Sequence, residues 1–242
     1  MPYRRLPNTD NARFKALKKA YEKGKELPPF KLAFSQSSLQ KLQSFLPHFE
    51  TKLQEQKQAY SNQVSKNKDY VQHLKKAKLY ISHFIQVLNM AILRGELNSS
   101  IRTYYNIGEE NKKLPSLNTE HDVISWGEKI IAGETARIQK GMTPVTNPTM
   151  AVVKVHYENF LDAQQFQKTL QKNTNRALNE LASLREDADA IITQIWDEVE
   201  NSYKDLPEEL KREKASDYGV VYVYRKNEIN KLQVFENSRI SI

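Results

Sequence analysis

The chain predicts an all-α fold built on a four-helix core of two long antiparallel helical hairpins, with extra short helices and a small C-terminal β-hairpin. Three observations carry that reading. Only seven glycines occur in 242 residues, few for a sheet-rich fold with many tight turns. Apolar residues recur at intervals of three and four over long stretches, the period of a helix with one buried face. Two of these stretches also contain matching segments, Ile81-Ser82-His83-Phe84-Ile85-Gln86-Val87-Leu88 and Ile192-Thr193-Gln194-Ile195-Trp196-Asp197-Glu198-Val199. Each follows an Asn-bearing break, at 65–69 and 171–175, which suggests two hairpins of similar build.

The first helix begins at Asp10, carries Ala12, Leu17 and Tyr21, and stops near Gly24. Leu27-Pro28-Pro29-Phe30 then forces an extended connection. Ser37-Ser38-Leu39-Gln40 has capping-box spacing, and Leu39, Leu42, Phe45, Leu46, Phe49, Leu53, Tyr60 and Val64 follow at near-helical intervals. After the 65–69 break, Tyr70, Leu74, Ala77, Ile81, Phe84, Leu88 and Ala91 form a second stripe ending at Arg94-Gly95, a basic last turn with a glycine beyond it. Two amphipathic helices joined by about four residues predict an antiparallel hairpin.

Ile101, Tyr104, Tyr105 and Ile107 suggest a short helical turn, followed by a polar loop over 106–117. Thr119 caps a helix to about Lys140 that contains Val123, Trp126, Ile130 and Ile131. Gly127 beside Trp126 implies close approach of a neighbour, since a helical glycine otherwise costs about 1 kcal/mol relative to alanine. Asn147-Pro148 restarts the chain as N-cap and first helical residue. The second hairpin has arms around Val152–Leu170 and Leu178–Tyr203; one continuous helix from Pro148 to Tyr203 is the alternative, because 173–175 lacks a strong breaker. A short helix runs from about Asp205 to Ala215. Tyr218-Gly219-Val220-Val221-Tyr222-Val223-Tyr224-Arg225 then reads as a strand, with Leu232–Phe235 as its returning partner.

The domain reading is therefore a basic N-terminal helix and connection over 1–34, a helical bundle over 35–216, and a β tail over 217–242. The bundle comprises hairpins 37–95 and 148–204 joined by 96–147. A two-stranded ribbon is marginal alone in water, so the tail must pack on the bundle or pair with another chain. Tyr218, Val220, Tyr222 and Tyr224 are its candidate interaction surface.

Charge narrows the function classes. The net charge is +8, and residues 1–78 carry 17 Lys+Arg against 6 Asp+Glu while the remainder carries 20 against 23. The basic first third, with Arg4, Arg5, Lys18 and Lys19 as candidate anion-binding residues, fits a nucleic acid or anionic surface. The plainer reading is that these cations lie against the acidic remainder, notably Glu186, Asp187, Asp189, Asp197, Glu198 and Glu200.

Site chemistry is thin. No cysteine occurs, which excludes disulfides, thiolate metal sites and cysteine nucleophiles. The five histidines are scattered, and neither Glu-x-x-His nor His-Glu-x-x-His is present, so no metal site is expected. Glycine-rich phosphate loops and the Gly-x-Ser-x-Gly elbow are missing, so no cofactor and no catalytic residue is assigned. The sequence leans towards a non-enzymatic scaffold or adaptor that binds a protein partner or itself. Nucleic-acid or anionic-surface binding through the basic third is the alternative, and an enzyme with an unrecognised site stands behind it. The N-terminal segment has no apolar run after its basic residues and no stretch reaches 18 apolar residues; no membrane association and a cytoplasmic setting are the expectations.

Met1-Pro2-Tyr3-Arg4-Arg5-Leu6-Pro7-Asn8-Thr9-Asp10, Trp126-Gly127-Glu128-Lys129-Ile130-Ile131 with Thr146-Asn147-Pro148-Thr149, and Tyr218-Gly219-Val220-Val221-Tyr222 resemble an uncharacterised, mostly helical family of bacterial proteins, Bacteroidetes in type. The resemblance covers most of the chain. It implies a bacterial, cytoplasmic setting and carries no reaction, so it transfers no site residue.

Overall fold

The computed structural model describes residues 3–224, and the all-α class is what it shows. In order, the elements are β1 (Tyr3–Arg4), α1 (Asp10–Glu26), a 3₁₀ turn at Pro29–Lys31, α2 (Gln36–Leu93), a 3₁₀ turn at Ser99–Tyr105, α3 (Glu120–Gln139), α4 (Met150–Ser183), α5 (Arg185–Ser202), α6 (Glu208–Ser216) and β2 (Tyr222–Val223). Among the described residues no helix is long and apolar enough to cross a membrane.

The turns differ from the expected ones. The sequence 65–69 contains neither glycine nor proline, its side chains are exposed, and Lys66 pairs with Asp69 at 3.3 Å. An exposed i,i+3 pair supports helix rather than ending it, so α2 continues through 65–69 and no hairpin turn forms there. The 171–175 segment is likewise helical, and Thr174 returns its hydroxyl to the Leu170 carbonyl at 3.1 Å. The interruption falls instead at Leu184, still in the right-handed helical region. The continuous-helix alternative was thus the closer description. Helix α4 starts at Met150 rather than Pro148, because Asn147 and Pro148 lie within a turn closed by a Thr146–Thr149 bridge.

The chain divides into two compact units, one of 1–58 with 175–242 and one of 59–174. The first gathers Leu17, Leu42, Phe49, Ile192, Trp196 and Val199, all buried, into its core. There α2 runs antiparallel to α4 and α5: Lys52 donates to Glu180 at 2.9 Å and Lys41 to Gln194 at 3.3 Å. Ser35 caps α2 by accepting from Ser38 N at 3.2 Å, so the cap lies two residues before the one expected at Ser37. Glu198 of α5 reinforces it, accepting from Ser35 N at 2.6 Å and the Ser38 hydroxyl at 2.7 Å. Burial pushes the Glu198 carboxyl up, but these donors and Gln194 outweigh it and hold the group below its ordinary range.

The second unit packs Ile81, Phe84, Ile85, Leu88, Tyr105, Val123, Ile130, Val153 and Phe160 with no exposed surface. Here α2 faces α4, with Tyr70 near Phe160 and Tyr80 stacked on His156 at 4.1 Å. Each matching segment therefore supplies one unit's core at the same four positions, Ile81, Phe84, Ile85 and Leu88 in one and Ile192, Ile195, Trp196 and Val199 in the other. The capping box of α3 is present, Thr119 with Asp122.

Gly127 packs as expected, against Tyr157. A Cβ at this position would lie 2.2 Å from the Tyr157 ring, and that ring is held by its hydroxyl donating to the Ile124 carbonyl at 3.2 Å. Gly127→Ala gains about 1 kcal/mol of helix propensity but overpacks a fixed ring at about 1–3 kcal/mol. The expected net is a loss of about 1 kcal/mol in chemical denaturation; an increase in midpoint would show that Tyr157 yields freely.

Candidate functional site

The two ends of the first unit meet in one ribbon. Strand β1 pairs antiparallel with β2, Tyr3 opposite Val223 and Arg4 opposite Tyr222, and Arg5 N donates to the Val221 carbonyl at 2.9 Å. The expected partner of the strand, Leu232–Phe235, lies outside the described residues. Regular pairing is confined to 222–223 because Tyr218 and Val220 turn inward. Gly219 makes that turn at φ +90°, a conformation open to glycine. A Cβ there would also meet the Ala16 carbonyl oxygen at 2.9 Å.

This pairing sorts the basic residues. Arg4 donates to Asp197 at 2.5 Å and to Glu200 at 3.0 Å, and its guanidinium lies 6.0 Å from the Trp196 ring centroid. Arg13 grips Asp189 through two bonds of 2.8 Å, while Arg185 grips Asp10 through two of 2.9 Å. Such two-pronged contacts are the better-defined form of ion pair. The internal pairing expected between the basic start and the acidic 186–200 stretch is thus present for Arg4 and Arg13, while Arg185 and Asp10 pair in the opposite sense. Lys18 lies over Phe14 at 5.8 Å.

Arg5, Lys15 and Lys19 are different. All three are exposed, and among the described residues none has a carboxylate within ion-pair distance. They surround a cavity of about 450 Å³ whose other walls include Leu6, Ala12, Ala16, Trp196, Val220 and Val221. Ala12, Lys15, Ala16 and Lys19 recur at i, i+3, i+4 and i+7, one face of α1. The two small side chains leave the space and the two long ones stand beside it. Trp196 is buried at 1% exposure, whereas Leu6 and Val221 are about half exposed, at 44% and 50%. The volume falls in the range of small-ligand sites, and the lining has their usual character, mostly apolar with a few polar groups.

Of the anticipated anion-binding set, Arg5 and Lys19 reach this cavity; Arg4 is engaged by two carboxylates and Lys18 stands apart. Of the anticipated interaction surface, Val220 lines the cavity but is 3% exposed, and Tyr218 is 2% exposed in the core, edge-on to Phe34 at 5.9 Å. These two are structural because the chain turns inward at Gly219. Tyr222 donates to Glu200 at 2.5 Å, and only Tyr224 is exposed, at 37%. Sequence reasoning missed the contribution of Lys15, Ala16 and Trp196; the Ala12–Lys19 stripe was the available signal. Among the described residues no group of three or more His, Asp or Glu is arranged to hold a metal. No family model, curated protein or solved structure matches the chain.

Proposed function

We propose that the protein is a non-enzymatic interaction protein whose first unit binds an acidic peptide segment of a protein partner, an apolar side chain of that segment entering the cavity. The observation that supports it most directly is the meeting of Arg5, Lys15 and Lys19, three cations without a carboxylate partner among the described residues, around an apolar cavity with half-exposed Leu6 and Val221 at its edge. Apolar burial supplies affinity and the cations select an acidic neighbour and speed encounter. Generic nucleic-acid binding is disfavoured by the engagement of Arg4 and Arg13 with α5 carboxylates. A cytoplasmic setting belongs to the same proposal.

Panning a displayed random-peptide library on the full chain should enrich sequences combining an aromatic or aliphatic anchor with Asp or Glu. The Lys15→Glu/Lys19→Glu double variant should bind them at least tenfold more weakly, with the loss shrinking as salt rises. Equal binding by wild type and the charge-reversed variant would overturn the reading. Retention of a labelled random single strand at low salt, abolished by the same variant, would favour the nucleic-acid alternative instead.

A further inference from the structure

We propose that a second binding site, in the 59–174 unit, takes a monoanionic carboxylate carrying an apolar group, and that Arg102 is the residue that receives the carboxylate. Arg102 lies on the 3₁₀ turn Ser99–Tyr105 and is 3% exposed. Its Nε donates to Asn89 Oδ1 at 2.9 Å and its Nη1 to the Glu109 carbonyl at 2.7 Å. Both acceptors are neutral. Among the described residues no carboxylate lies within ion-pair distance of it, and Nη2 makes no hydrogen bond there but keeps access to solvent, so one arm of an otherwise buried guanidinium is open to a ligand.

A buried cation without a counter-ion is costly unless the charge is met. Two neutral bonds fix where the guanidinium points but leave the charge itself unmatched. Arg137, the other buried arginine, has Glu134 beside it at 2.8 Å; Arg102 has no equivalent. It lines a cavity of about 380 Å³, with Asn89, Met90, Ile92 and Leu93 from the end of α2, Ser99, and Glu109, Glu110 and Lys112 from the following loop. Asn89 also donates to the Lys112 carbonyl at 3.3 Å, tying that loop to the helix. The site is therefore braced before any ligand arrives.

The lining also limits the ligand. Met90 and Leu93 are large apolar side chains at 56% and 79% exposure, the edge an apolar group would cover. Glu109 and Glu110 line the same cavity without pairing with Arg102, and their carboxylates disfavour a polyanion there. A single carboxylate can still take the free arm of the guanidinium, the geometry in which arginine binds carboxylates best. Such a group comes either from a free aliphatic or aromatic acid or from the C-terminus of a peptide ending in an apolar residue.

The test titrates the full chain with hexanoate, phenylacetate, hexylamine, and a pentapeptide ending in leucine with either a free or an amidated C-terminus, read by amide chemical shifts. The carboxylates should shift resonances of 89–93 and 99–112 saturably, and hexylamine and the amidated peptide should not. Preference for the small acids or for the free peptide identifies the source. Arg102→Lys, which keeps charge but loses the planar fork, and Leu93→Asp, an exposed change that leaves the packing alone, should each weaken binding at least tenfold. Arg102→Lys is interpreted only if its far-ultraviolet spectrum and melting are native; Leu93→Asp carries the test otherwise. No saturable shift with any carboxylate, or equal binding by Leu93→Asp, overturns the proposal.

Discussion

Glu134→Ala is expected to lower the unfolding free energy by about 3–5 kcal/mol, the cost of leaving one member of a buried ion pair alone. Glu134 and Arg137 are both fully buried on α3. One carboxylate oxygen accepts from Val145 N at 2.8 Å and Arg137 Nη2 at 2.9 Å; the other accepts from Arg137 Nε at 2.8 Å and from the Tyr105 hydroxyl. Removal of the carboxylate strands a guanidinium whose Nη1 already lacks a partner, and frees the 3₁₀ turn at Tyr105 and the strap at Val145 together. Replacing both residues, Glu134→Leu with Arg137→Met, should recover most of the loss, since an apolar pair of similar volume is often neutral or better. Urea unfolding of the three proteins decides it: a single-variant cost below about 1 kcal/mol would mean that the pair is not sealed from water.

The same carboxylate sets an acid limit. Burial pushes the Glu134 carboxyl up, but the bonds from Arg137, Tyr105 and Val145 outweigh it and hold the group below its ordinary value of about 4.5. A depressed folded value means that the unfolded chain binds the proton first as pH falls. Its stabilisation is therefore complete above about 4.5 and declines as pH falls from there through the lower folded value. Wild type should lose stability over that range more steeply than the double apolar variant.

How much of this was legible beforehand depended on whether the cause was local. The starts of α1 and α3 were visible because Thr9-Asp10 and Thr119-x-x-Asp122 carry their own caps. Gly127 announced its close neighbour because a helical glycine must be explained by what touches it. Continuity of α2 through 65–69 was not visible, since Ser, Asn and Asp are poor in helices yet contain nothing that breaks one. The partner of each long arm was missed for the same reason: without a turn, Ile81–Leu88 had to find its core across α3 and α4. The β1–β2 pairing joins residues about 220 apart through two-residue strands, and nothing near either end encodes it. Hence Arg5 and Lys19 were named as anion-binding candidates, but the cavity that unites them with Lys15 and Val220 was not.

Trp196→Ala should cost about 3–5 kcal/mol, the range for deleting a large buried aromatic. The indole is 1% exposed and packs with Ile192, Ile195 and Val199 in the first unit's core. It also lines the cavity, so the deleted volume joins an existing space and the walls have little reason to collapse inward. Two effects should separate. Stability falls through lost packing, and hydrogen exchange should accelerate in α1 and α5; Glu134→Ala should instead loosen α3, the 99–105 turn and the strap at Val145, where its partners lie. Peptide binding at the first-unit cavity should weaken because the anchor loses its floor, and this loss should be nearly independent of salt, unlike that of Lys15→Glu/Lys19→Glu. Trp196→Phe, which keeps an aromatic floor, should retain most of both properties. A Trp196→Ala protein with native melting and native peptide affinity would remove the indole from the core and from the site together, and the apolar half of the proposed recognition with it.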